Sequence, residues 1–135
     1  MEHESAVAGA LANGQLVGTD LELVEWQADP DPGGGPSWQA PLHVHHDDDE
    51  AWYVLSGRMV FRLNEELHEL GPGGAVIAHA GVAHTFGATG DQPARYLLAM
   101  TPRIAALVAA LHDTDLAAGR SMAQLFADHH SALLE

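Results

Sequence analysis

Between residues 15 and 100 the sequence is cut into short β-like runs, each closed by Gly, Pro, Asn or Asp. That pattern constrains the fold more than any other feature, because many short strands at regular spacing pack as a sandwich or a barrel. The first run shows the period: Leu21, Leu23 and Glu25 alternate with Glu22, Val24 and Trp26, as in a strand with one face on a core. Residues 29–36, Asp-Pro-Asp-Pro-Gly-Gly-Gly-Pro, form a loop, since proline removes ladder donors and glycine relaxes the backbone. Further strands are expected over residues 39–45, 51–55, 59–63, 75–78, 84–86 and 95–100. Ser56-Gly57 and Asn64-Glu65-Glu66 read as hairpin turns, and residues 71–74 and 89–93 as further turns.

After Met100 the period changes. Thr101-Pro102 is a good helix cap and first-position pair, and Ile104, Leu107, Val108 and Leu111 follow at helical spacing. A break near residues 113–119 leads to Ser121, a second cap. Met122, Leu125, Phe126 and Leu133 continue an amphipathic pattern. The organisation expected is a loose arm over residues 1–14, a β-barrel over 15–100 and two short C-terminal helices over 101–135. The helices pack on the barrel, close one of its ends or form a dimer contact.

Composition narrows the chemistry. The 135 residues contain no cysteine, which removes disulfide scaffolds, thiolate zinc sites and thiol catalysis. The net charge of −14 repels phosphate backbones and anionic headgroups, so neither nucleic acid nor a membrane is an expected partner. All five basic residues are arginines, and the missing lysine removes Schiff-base chemistry. No signal peptide or membrane span is visible, which places the expectation in the cytoplasm. The ten histidines are left as the main candidates for chemistry.

Three of them stand in an informative setting. In Pro41-Leu42-His43-Val44-His45 the two histidines are two residues apart, so on a strand they share a face. Glu50 opens the next run after a short acidic loop, and a hairpin return can bring its carboxylate beside the two imidazoles. His84 begins a later apolar strand. Three neutral imidazoles and one carboxylate make a borderline-to-hard site for one divalent ion, with Fe, Mn, Ni, Co, Cu and Zn all suited. Surface histidines in an acidic loop are the competing reading.

The spacing extends into two longer patterns. Glu50 is followed by six residues and Gly57; later come Gly73, five residues, His79, one residue, Gly81, two residues and His84. These resemble the two motifs of the cupin family, and the sequence is similar to small single-domain bacterial cupins, in particular quercetin-dioxygenase-like ones. His43, His45, Glu50 and Gly57 match the first motif, and Gly73, Gly81 and His84 the second. The resemblance covers about residues 15–100. It implies an all-β, double-stranded β-helix (a jelly-roll barrel) of six to eight strands, with His43, His45, Glu50 and His84 as the metal ligands. Three positions depart from the pattern: Ser37 stands for the opening glycine, His79 for a proline and Ala88 for the closing asparagine. None of these is a ligand position.

The remaining candidates follow. Glu50 doubles as a catalytic base if it detaches from the ion. Trp52, Met59, Phe61, Phe86 and Met100 are candidates for the wall of an apolar substrate pocket, against their plainer reading as barrel core. Arg58, Arg62 and Arg95 are candidate partners for a substrate carboxylate. His79 is read as a solvated turn residue, with an acid–base role at the site mouth as the alternative, and His46 as a rim or surface residue. Asp47, Asp48 and Asp49 are read as a solvated loop. His3, His68, His112, His129 and His130 receive no role.

An apolar pocket with one metal suits a small aromatic or enolic ligand. The leading reading is a metal-dependent dioxygenase. A non-redox isomerase or polyketide cyclase is the second, and a small-molecule binding or sensing module the third. One barrel hosts many chemistries, so the fold does not choose. A homodimer is expected from the resemblance.

Overall fold

The computed structural model describes residues 6–11, 14–115 and 117–134. The expected arm lies partly outside them, as does His3. Ten strands come first: β1 (Gln15–Val17), β2 (Glu22–Ala28), β3 (Ser37–Trp38), β4 (His43–His45), β5 (Glu50–Ser56), β6 (Met59–Leu63), β7 (Glu66–Leu70), β8 (Ala75–Ala78), β9 (His84–Ala88) and β10 (Ala94–Met100). Two helices, α1 (Pro102–His112) and α2 (Met122–Asp128), and a last strand, β11 (Ser131–Leu133), complete the chain.

The strands form two antiparallel sheets. One has the order β1-β2-β10-β5-β8; the other has the order β11-β4-β9-β6-β7, with β3 also paired to β9. Period-two alternation places the inner faces. On β10 Ala94, Tyr96, Leu98 and Met100 are buried, and on β5 Glu50, Trp52 and Val54. With Met59, Phe61 and Phe86 from the opposite sheet these residues, Glu50 apart, form one continuous core, as the resemblance implies for a double-stranded barrel.

The expected run over residues 39–45 is strand only at His43–His45. The Gln39 N–H still donates to the Phe86 carbonyl of β9 at 2.8 Å, but Pro41 has no N–H to continue the ladder, and the Thr85 hydroxyl holds the bend by donating to the Ala40 carbonyl at 2.6 Å. β7 carries no clear alternation because four of its five residues are exposed.

Both helices begin at the expected caps. Thr101 accepts from the Ile104 N–H, and Ser121 forms a reciprocal capping box with Gln124. The second pattern is not one long helix, however. His130 takes a left-handed backbone conformation (φ 55°), and Leu133 lies on β11, beside β4. Ile104 enters the barrel core, while Leu107, Ala110, Leu125 and Phe126 form a second cluster with Leu133 against it. α1 thus packs on the barrel through Ile104, and α2 packs against α1 and β11. No helix among the described residues is long and apolar enough to cross a membrane.

Candidate metal centre

Two strands of one sheet and one strand of the other build the site. His43 and His84 are direct cross-strand partners on β4 and β9. His45 lies two residues along β4, on the same face. Glu50 begins β5 in the facing sheet. Its Oε1 is 3.2 Å from His45 Nε2 and 3.1 Å from His84 Nε2. One ligand atom from each of His43, His45, Glu50 and His84 falls within 4.8 Å of every other, and all four residues are buried. The sequence placed these four together, and the structure brings them together.

Hydrogen bonds behind the rings set their orientation. His43 Nδ1 lies 2.7 Å from the Pro41 carbonyl and His84 Nδ1 3.0 Å from the Val82 carbonyl. A carbonyl only accepts, so both Nδ1 atoms carry a hydrogen and both Nε2 atoms are left to face the cluster, where each offers a lone pair to a metal ion once any proton shared with Glu50 is displaced. His45 Nδ1 lies 2.7 Å from the Ser131 hydroxyl. Nitrogen lone pairs facing a carboxylate oxygen are joined by a cation, either a metal ion or a proton. The buried His₃Glu donor set, with its rings fixed from behind, therefore fits a divalent ion.

The electrostatics agree. Burial alone would raise the Glu50 carboxyl, but the hydrogen bonds and charge of His45 and His84 outweigh it and hold the group at about 2. Glu50 is an anion at neutral pH. Burial, then the neighbouring His84, lowers His43 to about 4, so this imidazole is neutral and available as a ligand.

Turn chemistry brings the ligands into place. The Val82 N–H bonds to the His79 carbonyl at 3.0 Å, and Gly81, with φ 88°, takes the left-handed position inside that turn. The turn thus forms with His79 where the family pattern has proline, and His84 follows it directly into β9. Ala88 is fully buried against the core, where an apolar side chain needs no partner, and Ser37 pairs with it across β3 and β9. His79 is exposed, 3.5 Å from Asp49, and His46 is exposed beside the acidic loop. In that loop the Asp49 carboxylate accepts from the Ala80 N–H at 2.8 Å, tying the first motif to the second.

A cavity of about 250 Å³ opens over the ligands. His43, His45 and Glu50 line it, with Phe86, Leu98, Ile104, Leu107 and Phe126 among its apolar walls. Of the expected pocket residues, Phe86 lines this cavity. Trp52, Met59 and Phe61 lie in the barrel core behind it, with the Trp52 ring 5.4 Å from that of His84. Met100 lines a separate surface groove between α1 and β2. Arg58 pairs with Glu69, Arg62 donates to the Asn64 carbonyl and Arg95 pairs with Glu25. Among the described residues no arginine lines the cavity.

The sequence reading omitted several residues here. Tyr96 lines the cavity, and burial followed by the charge of Glu50 pushes its hydroxyl above the ordinary value, keeping it protonated. Its alternation with Leu98 and Met100 was the available signal. Phe126 sets its ring edge against His43 at 5.4 Å. Ser131, behind His45, had no signal in the sequence.

Residues 34–100 match the family described as Cupin domain. No curated protein matches the sequence. Among solved structures, the TT1209 protein of Thermus thermophilus is similar at 29% identity and TM-score 0.55, over 64% of this chain and 77% of that one. The polyketide cyclase RemF from Streptomyces resistomycificus is similar at 27% identity and TM-score 0.52, over 62% of this chain and 56% of that one. A sugar phosphate isomerase from Silicibacter pomeroyi is similar at 24% identity and TM-score 0.53, over 62% of this chain. At that identity the likeness is one of fold, and the match spans only 51% of the isomerase.

Proposed function

This chain belongs to the cupin superfamily, and on that premise we propose that it is a metal-dependent dioxygenase for a small aromatic or enolic compound held in the cavity beside Glu50. The observation that carries the reading is the His43, His45, Glu50 and His84 donor set at the edge of a mainly apolar cavity that no arginine lines among the described residues. Such walls favour a neutral, oxygen-bearing ring over a phosphorylated sugar. At about 250 Å³ the cavity lies at the small end of ligand pockets.

The Nε2 atoms of the three histidines and the Glu50 carboxylate would hold the ion. A bound divalent ion supplies Lewis acidity and, if it is Fe, Mn, Ni, Co or Cu, access to dioxygen chemistry. The protein's own groups do the rest. A Glu50 carboxylate that detaches from the ion is the base that takes the hydroxyl proton of an enol or phenol, whose acidity the bound ion would raise, leaving the substrate as its enolate. Tyr96 keeps its own proton and offers it as a hydrogen bond to a substrate oxygen. Phe86, Leu107 and Phe126 orient the ring and exclude water.

A non-redox cyclase or isomerase is the second reading, favoured by the 27% identity with a polyketide cyclase. Reconstitution with each metal in turn, followed by oxygen-electrode assays with flavonol and other enol substrates, separates the two. Oxygen uptake with a redox metal and none with zinc supports the dioxygenase. Turnover with zinc, and no oxygen uptake with any metal, overturns it and supports the second reading.

A further inference from the structure

β11 lies beyond residues 34–100 and pairs with β4 so that Ser131 stands directly opposite His45. Ser131 is only 4% exposed. Its hydroxyl makes two contacts, 2.7 Å to His45 Nδ1 and 3.0 Å to the His129 carbonyl oxygen. A hydroxyl has one hydrogen to give, and a carbonyl only accepts. With that hydrogen on the His129 carbonyl, the Ser131 oxygen accepts from His45 Nδ1–H. The Nε2 of His45 is then the atom left for a cation: a metal ion or, in its absence, the proton shared with Glu50 Oε1 at 3.2 Å.

The three histidines differ in where this support comes from. His43 and His84 each use a carbonyl two residues back in their own segment. His45 uses a side chain 86 residues away. The capping box of α2, its closure at His129 and the left-handed turn at His130 together deliver Ser131 to that place.

We propose that Ser131 is a positioning residue for His45, fixing the ring's orientation and the tautomer that leaves Nε2 free for a cation. The proposal builds on the reading of the cluster as a metal centre. It makes the C-terminal strand, and not the barrel motifs alone, part of what holds the ion.

Two measurements test it on the full chain. In metal-free protein, long-range ¹H–¹⁵N spectra of the imidazoles report the tautomer of His45. A hydrogen on Nδ1 is expected in wild type and Ser131→Thr, whatever Nε2 carries toward Glu50, and loss of that preference in Ser131→Val, which has nearly the shape of threonine without the hydroxyl. Competition of cobalt(II) against a chromophoric chelator reports affinity, and the cobalt absorption bands report geometry. Ser131→Val should bind about tenfold more weakly or worse, with altered bands, and Ser131→Thr should restore both. Ser131→Ala is the smaller hydroxyl-free variant if valine does not fit. An unchanged tautomer, or wild-type affinity and bands in the hydroxyl-free variants, overturns the proposal. Wild-type protein that binds no cobalt but shows the tautomer change overturns the metal reading and leaves Ser131 as the residue that orients His45.

Discussion

The rings of His43 and His84 stand 4.3 Å apart on directly opposed residues of β4 and β9. Each comes from a different motif, and each is held from behind by a carbonyl of its own segment. Two buried imidazoles this close cannot both be charged without large cost. Burial first, and then His84, therefore hold His43 at about 4 instead of 6.5.

The sign of the pH dependence follows. An imidazole depressed in the folded state gives its full contribution above the unfolded value, and the contribution is lost as pH falls toward the folded one. Between about 6.5 and about 4 the unfolded chain takes up a proton at His43 that the folded chain refuses. Glu50, held at about 2 from 4.5, adds a second loss in the same direction below pH 4.5. Urea titrations of metal-free protein should show stability falling by on the order of 3 kcal/mol from pH 7 to pH 4. The fall should be smaller in His43→Gln.

Phe126 joins the helical cap to the site, being 2% exposed and packed with its ring edge to His43. Phe126→Ala should cost about 3–5 kcal/mol in urea unfolding, by the loss of its burial and the hole left behind. Ala105, a half-buried position on α1, serves as the mild comparison. Its replacement by Gly should cost only about 1 kcal/mol.

Gly57 closes the first motif for two separate reasons. Its φ is 76°, and a Cβ there would lie 2.4 Å from the Pro93 carbonyl oxygen. Gly73 has φ 89° and open space around it. Thermal or urea unfolding should show Gly57→Ala losing more than about 2 kcal/mol and Gly73→Ala about 1 kcal/mol, the difference being the clash.

These residues also show what the sequence could reveal. His43, His45, Glu50 and His84 were legible because the period of a strand and the spacing of two motifs are local properties. The caps at Thr101 and Ser121 were legible for the same reason. β7 was not, because Glu66–Leu70 is exposed over most of its length and so lacks an apolar face. β11 was not, because three residues are strand only through pairing with β4. Ser131 and Phe126 act on the site across long sequence separations, which no local pattern records. Tyr96 lay within a visible alternation, but the sequence did not say that Glu50 would be near.

That neighbour gives Tyr96 its own test. Tyr96→Phe removes a protonated hydroxyl from the cavity and no metal ligand. Metal content should be unchanged, while kcat/KM on whichever substrate supports turnover should fall about tenfold, the equivalent of one hydrogen bond. Loss of metal together with activity would show a different role.

The most direct test of the central claim is metal stoichiometry. Purified protein, stripped and then dialysed at neutral pH against each candidate divalent ion, should retain close to one ion per chain by elemental analysis after washing. His45→Ala and His84→Ala should retain little, and His79→Ala, whose imidazole is exposed outside the cluster, should match wild type. Wild-type protein that retains none of the ions, or full occupancy in both ligand variants, would contradict the account.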